Sequence, residues 1–151
     1  MTIKFIKKVI DAIPFAYQRD GDACMDIYSA NEMIVPSKSC TLVDSGIAVE
    51  IPKGYEGVVR GRSGLALKGL MVHIGTIDSN YRGSVGVIVY NSLEEEFYIP
   101  KHSRIAQFTI KPIIEVALLE AKELSSSNRG EQGYGSSGYE NVTFNRESTR
   151  D

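Results

Sequence analysis

The sequence predicts an all-β chain: a sandwich, barrel or jelly roll. Three observations carry that expectation. Short runs rich in Val, Ile, Tyr and Phe recur along the whole chain, as strands that half-bury a pleated face require. Gly, Pro, Asn and Asp stand between the runs, where their backbone preferences make turns. Helical spacing is confined to residues 63–68, with Ser63 as the expected cap, a Leu-Ala-Leu-Lys body and Gly69 as the stop.

Taken in order, residues 3–10 alternate loosely and form a first strand that ends near Pro14. Residues 19–22 are a polar turn. Residues 23–30 form an apolar strand broken by one acid, Asp26, which must be paired, hydrogen-bonded or near a metal if it is buried. Residues 31–50 hold more strand around a turn at 36–38, and 52–54 is another turn. Residues 55–60 are strand-like and lead into the short helix. Residues 75–91 read as two halves: a turn from Gly75 to Gly83 that carries Asp78 and Tyr81, then a buried strand over 84–90. An acidic turn over 93–96, strands over 97–99 and 104–110, and a further strand over 113–119 complete the domain. No repeat and no second domain is visible. One folded domain is expected over residues 1–124, a linker and Gly-rich lid over 125–138, and a disordered tail over 139–151.

The chain has 151 residues, enough for one core. Lys plus Arg number 17 against 19 Asp plus Glu, a balance that argues against a nucleic-acid partner. An anionic small ligand needs only a local cluster and stays open. Cys24 and Cys40 are expected to be reduced, with Cys24 a buried apolar thiol, and no CxxC or HxxxH spacing marks a zinc site. No apolar run is long enough for a signal peptide or a membrane span. The expectation is therefore an intracellular, cytoplasmic chain with no membrane partner, the nucleus also being open to it.

Several pieces point to phosphate chemistry. Arg62, Ser63 and Gly64 open the helix, where free N–H groups, a hydroxyl and a guanidinium suit a phosphate. Residues 133–138, GYGSSG, match GxGxxG formally. However, no strand precedes them and the chain stops too soon for a dinucleotide fold. A mobile lid fits better, with Arg129 adding charge and Tyr134 covering a flat ring. With a carboxylate and an aromatic on one turn and a second carboxylate at Asp26, the set suggests phosphoanhydride chemistry on a nucleotide with a divalent metal.

In order, the segments DACMDIYSA (22–30), GRSGLALKG (61–69), GTIDSNYRG (75–83), RIAQF (104–108) and RGEQGYGSSG (129–138) resemble the five motifs of the trimeric dUTPase family. The resemblance implies a distorted β jelly roll, or β-clip, with one short helix, assembled as a homotrimer with a swapped C-terminal arm. It implies hydrolysis of dUTP to dUMP and pyrophosphate with Mg²⁺ as cofactor. Asp78 would orient and deprotonate the attacking water, and Tyr81 would pack under the deoxyribose. Backbone around Gly75 and Ile77 would read uracil. Arg62, Ser63, Gly64 and Gln107 would hold phosphates, with Asp26 supporting the metal through water. Arg129, Gly135, Ser136 and Ser137 would close on the phosphates and Tyr134 on the base. Four positions depart from the family pattern: Gly61 for a Pro, Cys24 for a Gly, Val72 for an Asn that touches the base, and Tyr134 for a Phe. The same fold also serves dCTP deaminases, which need a general-base Glu, whereas the third segment has no acid beyond Asp78. A dUTP-dependent regulatory binding protein is a further alternative.

Overall fold

The computed structural model describes residues 1–133. Residues Met1–Val116 form one compact unit, and a second begins at Ala117. The first unit contains, in chain order, β1 (Lys4–Lys7), β2 (Met25–Tyr28), β3 (Met33–Val35), β4 (Cys40–Asp44), β5 (Ile47–Glu50), β6 (Tyr55–Arg60) and α1 (Ser63–Ala66). It continues with β7 (Leu70–Val72), β8 (Gly75–Ile77), β9 (Gly86–Asn91), β10 (Phe97–Ile99) and β11 (Arg104–Pro112). The architecture is a distorted jelly roll. A four-stranded sheet runs β2-β11-β6-β8 and a three-stranded sheet runs β4-β9-β7, with β1-β5 and β3-β10 as two-stranded ribbons.

Alternation fixes the faces. On β9, Val87, Val89 and Asn91 point inward and are buried, while Ile88 points outward and is exposed. Phe108 on β11 fills the centre and meets Phe15 at 5.3 Å between ring centroids, tilted by 52°. Gly57 on β6 makes room for it, since a Cβ there would lie 2.6 Å from the Phe108 ring. The buried Asn91 is the main polar tie. Its amide donates to the carbonyls of Val35, Pro36 and Glu95, and its Oδ1 accepts the Leu93 N–H. Those bonds satisfy a buried polar group and pin the 92–96 loop to the β3 end.

The strands expected over 55–60 and 97–99 form with those bounds. Other expectations need correction. Residues 75–77 are not turn: they pair with Val59, Val58 and Gly57 as a strand, because a waiting partner outweighs the turn preference of Gly and Asp. β7 was not anticipated; three residues are too few to show a period. Residues 113–119 form no strand, for among the described residues they have no partner ladder. The helix is a single turn, and Ser63 is not its cap: Arg62 occupies that position without a side-chain bond, leaving Ser63 as the first helical residue. Cys24 is half-buried rather than buried, Cys40 is exposed, and both are free. Among the described residues no helix is long and apolar enough to cross a membrane.

Candidate active site

β8 is the outer strand of its sheet. One edge pairs with β6, and the other leaves the outward N–H and C=O groups of Gly75–Ile77 without a ladder partner among the described residues. The chain leaves β8 in a tight turn, closed by the Tyr81 N–H donating to the Asp78 carbonyl at 3.1 Å. Arg82 braces it: Nη1 donates to the carbonyls of Ser79 and Tyr81, each at 2.7 Å. The Tyr81 ring folds back over Gly83, and its Oη donates to the Ser84 carbonyl at 3.0 Å. Only glycine allows this, since a Cβ on residue 83 would lie 2.2 Å from that hydroxyl. The turn therefore fixes an exposed carboxylate and an aromatic ring relative to each other. The Asp78 carboxylate has no ion-pair partner among the described residues.

A cavity of about 300 Å³ opens beside the turn. Gly75, Thr76 and Ile77 of β8 form one wall, and Asp78 and Tyr81 stand at it. Leu42, Gly86 and Ile88 contribute from the outward face of the three-stranded sheet. That volume is at the small end of ligand sites and suits a nucleoside. A larger hollow of about 860 Å³ lies on the other side of Asp78, lined by groups of both charges such as Lys4, Glu50, Lys53 and Glu56. It has neither Tyr81 nor the free strand edge, so the smaller cavity has the features of a base and sugar site.

The second carboxylate is built differently. Asp26 on β2 is 4% exposed. Arg62 Nε lies 3.3 Å from its Oδ1, and Arg104 Nη1 lies 3.4 Å from its Oδ2. Arg62 also donates from Nη1 to the Arg104 carbonyl at 2.8 Å. Gln107 faces Asp26 across the β2–β11 ladder and Arg60 across the β11–β6 ladder. Simple alternation along 104–108 gave Arg104 no place in a site. The irregular register between Arg104 and Ala106 is where that alternation breaks, as a bulge re-aims a side chain. Segment 104–108 was singled out for Gln107 rather than for Arg104, and no sequence signal marked the cavity residues Leu42 and Ile88, because only strand pairing brings them to these positions.

Of the residues expected to act together, the structure unites them in two groups. Asp26, Arg62 and Gln107 cluster with the helix start at Ser63 and Gly64, ahead of the Leu65 and Ala66 N–H groups that donate to the Arg62 carbonyl. Gly75, Ile77, Asp78 and Tyr81 form the other group. The register sets Ile77 opposite Gly57 but Gln107 opposite Arg60, and β2 and β8 are opposite edges of the sheet. At about 3.3 Å per residue and about 4.8 Å per strand, the two acids are on the order of 20 Å apart. In the second unit, Arg129 donates from Nε to the Gln132 carbonyl at 2.8 Å within an exposed turn. Tyr134, Gly135, Ser136 and Ser137 lie outside the described residues.

A jelly roll that leads an edge strand into a fixed carboxylate beside a nucleoside-sized cavity, with a separate arginine cluster, is the build of a nucleotide hydrolase. The dUTPase family model matches residues 11–138. The deoxyuridine 5'-triphosphate nucleotidohydrolase of Alkaliphilus metalliredigens is 44% identical over 125 residues, covering 81% of this chain and 87% of that one. Its counterpart in Clostridium acetobutylicum is 44% identical over 137 residues, covering 88% and 94%. The Staphylococcus bacteriophage 80alpha dUTPase, solved with dUPNHPP, superposes with a TM-score of 0.86 at 30% identity, covering 91% of this chain and 98% of that one. The chain belongs to the dUTPase family. It is, by class, a dUTP diphosphatase.

Proposed function

We propose that the chain hydrolyses dUTP to dUMP and pyrophosphate, with the nucleoside in the 300 Å³ cavity. The observation that carries this reading is the braced turn that holds Asp78 and Tyr81 at that cavity beside the free edge of β8. The Asp78 carboxylate orients a water and takes its proton as the water oxygen bonds to the α-phosphorus. The bond from that phosphorus to the bridging oxygen breaks, and pyrophosphate leaves with the electron pair. The Tyr81 ring packs under the deoxyribose, where a 2′-hydroxyl would not fit. The β8 edge at Gly75 and Ile77 offers backbone donors and acceptors to uracil. Arg62, Ser63, Gly64 and Gln107 hold phosphates, and Arg129, Tyr134, Gly135, Ser136 and Ser137 close over the substrate.

Mg²⁺ fits this donor set in one way. No group of three or more potential metal-binding side chains occurs among the described residues, so a cage built by the protein alone has no support. Asp26 is a hard oxygen donor with two oxygens, each able to accept more than one hydrogen bond. It can hold a metal-bound water while it keeps its arginines. Mg²⁺ suits such an arrangement because phosphates supply most of its ligands. When bound, it would neutralise phosphate charge. A phage phi11 dUTPase of the same fold, 23% identical with a TM-score of 0.77, is described as coordinating a structural Mg(II) ion.

We also propose that the working unit is a homotrimer with exchanged C-terminal arms. The separation of the Asp78 and Asp26 groups supports it, since a triphosphate cannot bridge both within one chain. So does the exposure of Ile114, Val116, Leu118, Leu119 and Leu124, of which Leu118 is 98% exposed. Apolar side chains in that number call for cover. A sedimentation mass about three times 16.6 kDa is the expected result, and a monomeric mass would refute it. The direct test of the activity is pyrophosphate release from dUTP, dTTP, dCTP and UTP with Mg²⁺. Turnover of dUTP alone is expected. Ammonia release from dCTP would move the protein to the deaminase reading. A second reading, a dUTP-dependent regulatory binder, draws support from likeness to the phage 80alpha enzyme, described as controlling transfer of virulence genes. Tight dUTP binding without turnover would favour it.

A further inference from the structure

We propose that His73 is a base-specificity residue of the nucleoside cavity, donating an imidazole N–H to the carbonyl that distinguishes uracil from cytosine. The inference rests on the dUTP reading above and sharpens it. The placement follows from register. Val72 pairs with Val89 at the end of β7 and packs on the core. Alternation therefore sends the next side chain outward. The His73 N–H donates to the Ile88 carbonyl at 2.9 Å, so the strand direction continues for one more residue. Ile88 in turn pairs with Leu42. Leu42, Ile88 and His73 thus form one row across the outward face of the sheet, and all three line the cavity.

In that row His73 is the one side chain able to hydrogen-bond. Two residues further on, the chain becomes the free edge of β8 at Gly75. The imidazole therefore stands where an apolar floor meets a strip of backbone donors and acceptors. The other polar groups of the cavity have occupations. The Tyr81 hydroxyl donates to the Ser84 carbonyl, and the Ser84 hydroxyl donates to Asp44. Asp78 serves the water. Thr76 offers a hydroxyl on β8 itself, outside that row. Among the described residues the His73 imidazole makes no side-chain hydrogen bond, and the residue is exposed. Uracil presents a C4 carbonyl and an N3–H, whereas cytosine presents a C4 amino group and a bare N3. The imidazole presents an N–H on an edge of the ring, so it discriminates while that edge faces the base. Facing O4, it gains a bond with uracil and meets a second donor with cytosine. A polar site left unmatched in this way rejects the wrong ligand strongly.

The test compares wild type with His73→Leu and His73→Asn, reading KM and kcat for dUTP and dCTP. For His73→Leu, KM for dUTP is expected to rise about tenfold, as loss of one good hydrogen bond gives. kcat should stay within about twofold and the preference for dUTP over dCTP should fall about tenfold. His73→Asn keeps an N–H donor and should retain most of the preference. Unchanged KM and preference in His73→Leu would overturn the proposal, as would a loss confined to kcat. Calorimetric Kd values for dUMP and dCMP read the same contact without turnover. Failure of the parent reading is separate: wild type would then release no pyrophosphate from dUTP, while the dUMP against dCMP comparison would still decide the role of His73.

Discussion

Asp26 and Asp78 belong to opposite edges of one sheet and could hardly be used more differently. Asp26 is buried and bound on both oxygens by arginines. Asp78 is exposed, one residue past the last strand pair, and its position is set by backbone rather than by a cation. Burial makes a carboxylate depend on its partners. Exposure on a braced turn leaves it available to water. One acid is thus tied into the structure by its cations and the other is left open to solvent, and substitutions at the two should fail in different ways.

The largest expected effect is at the exposed acid. Asp78→Asn should lower kcat by about 10²–10⁴-fold, the usual contribution of a positioned base. Its stability should stay within about 0.5 kcal/mol of wild type, as for most surface substitutions. A kcat within a few fold of wild type would remove Asp78 from the mechanism. Asp26→Asn should show the reverse balance in a thermal melt. It strips the guanidiniums of their anion, and because Arg62 and Arg104 are partly exposed the cost should fall below the full buried-pair penalty, at about 1–3 kcal/mol. An unchanged melting temperature would mean that the arginines hold the site without it.

Next in size is Gly83→Ala. The methyl group would collide with the Tyr81 ring, and the ring must swing from the cavity. A displacement near 1 Å at a reacting site can cost up to about 10²-fold, so kcat/KM for dUTP should drop by at least about tenfold while Tyr81→Phe, which loses one hydrogen bond, should lose about threefold to tenfold. Equal losses in the two variants would mean that the ring position is not set by residue 83.

The smallest expected effect comes from a third acid, Asp11, exposed and paired with Lys101. The hydrogen bond from Lys101 holds its carboxyl below the ordinary value of 3.8. A lowered folded-state pKa stabilises the fold above the unfolded value, and that contribution is lost as pH falls through the folded one. Asp11→Asn should therefore lower the melting temperature slightly at neutral pH and leave it unchanged well below about pH 4, where the wild-type carboxyl is protonated too, so that the acid limb becomes slightly shallower. An unaltered acid limb would mean that the pair adds nothing to stability.

Much of this contrast was legible before the fold. Asp78 and Tyr81 stood out because Gly75 and Gly83 bracket them, and Asp26 stood out as an acid inside an apolar run. The partners of Asp26 were not legible. Arg104 reaches it where the register of β11 shifts, and Arg62 reaches it from beyond the end of β6, so both contacts depend on pairings between segments distant in sequence. β8 was misread for a related reason. Gly-Thr-Ile-Asp has the local chemistry of a turn, and only the presence of β6 beside it makes a strand. The same logic runs backwards at residues 113–119, where the sequence has strand character and no described strand pairs with it.

The distance between the two acid groups has a genetic consequence. If each site takes its base half from one copy and its phosphate half from another, the two kinds of lesion are separable. A chain carrying Asp78→Asn still has a sound arginine cluster, and a chain carrying Arg62→Ala still has a sound turn. Neither would work alone, yet mixed assemblies would contain some sites with both halves intact. Two null alleles of this gene would then complement each other, while either one expressed beside wild type would spoil a share of its sites and act as partly dominant.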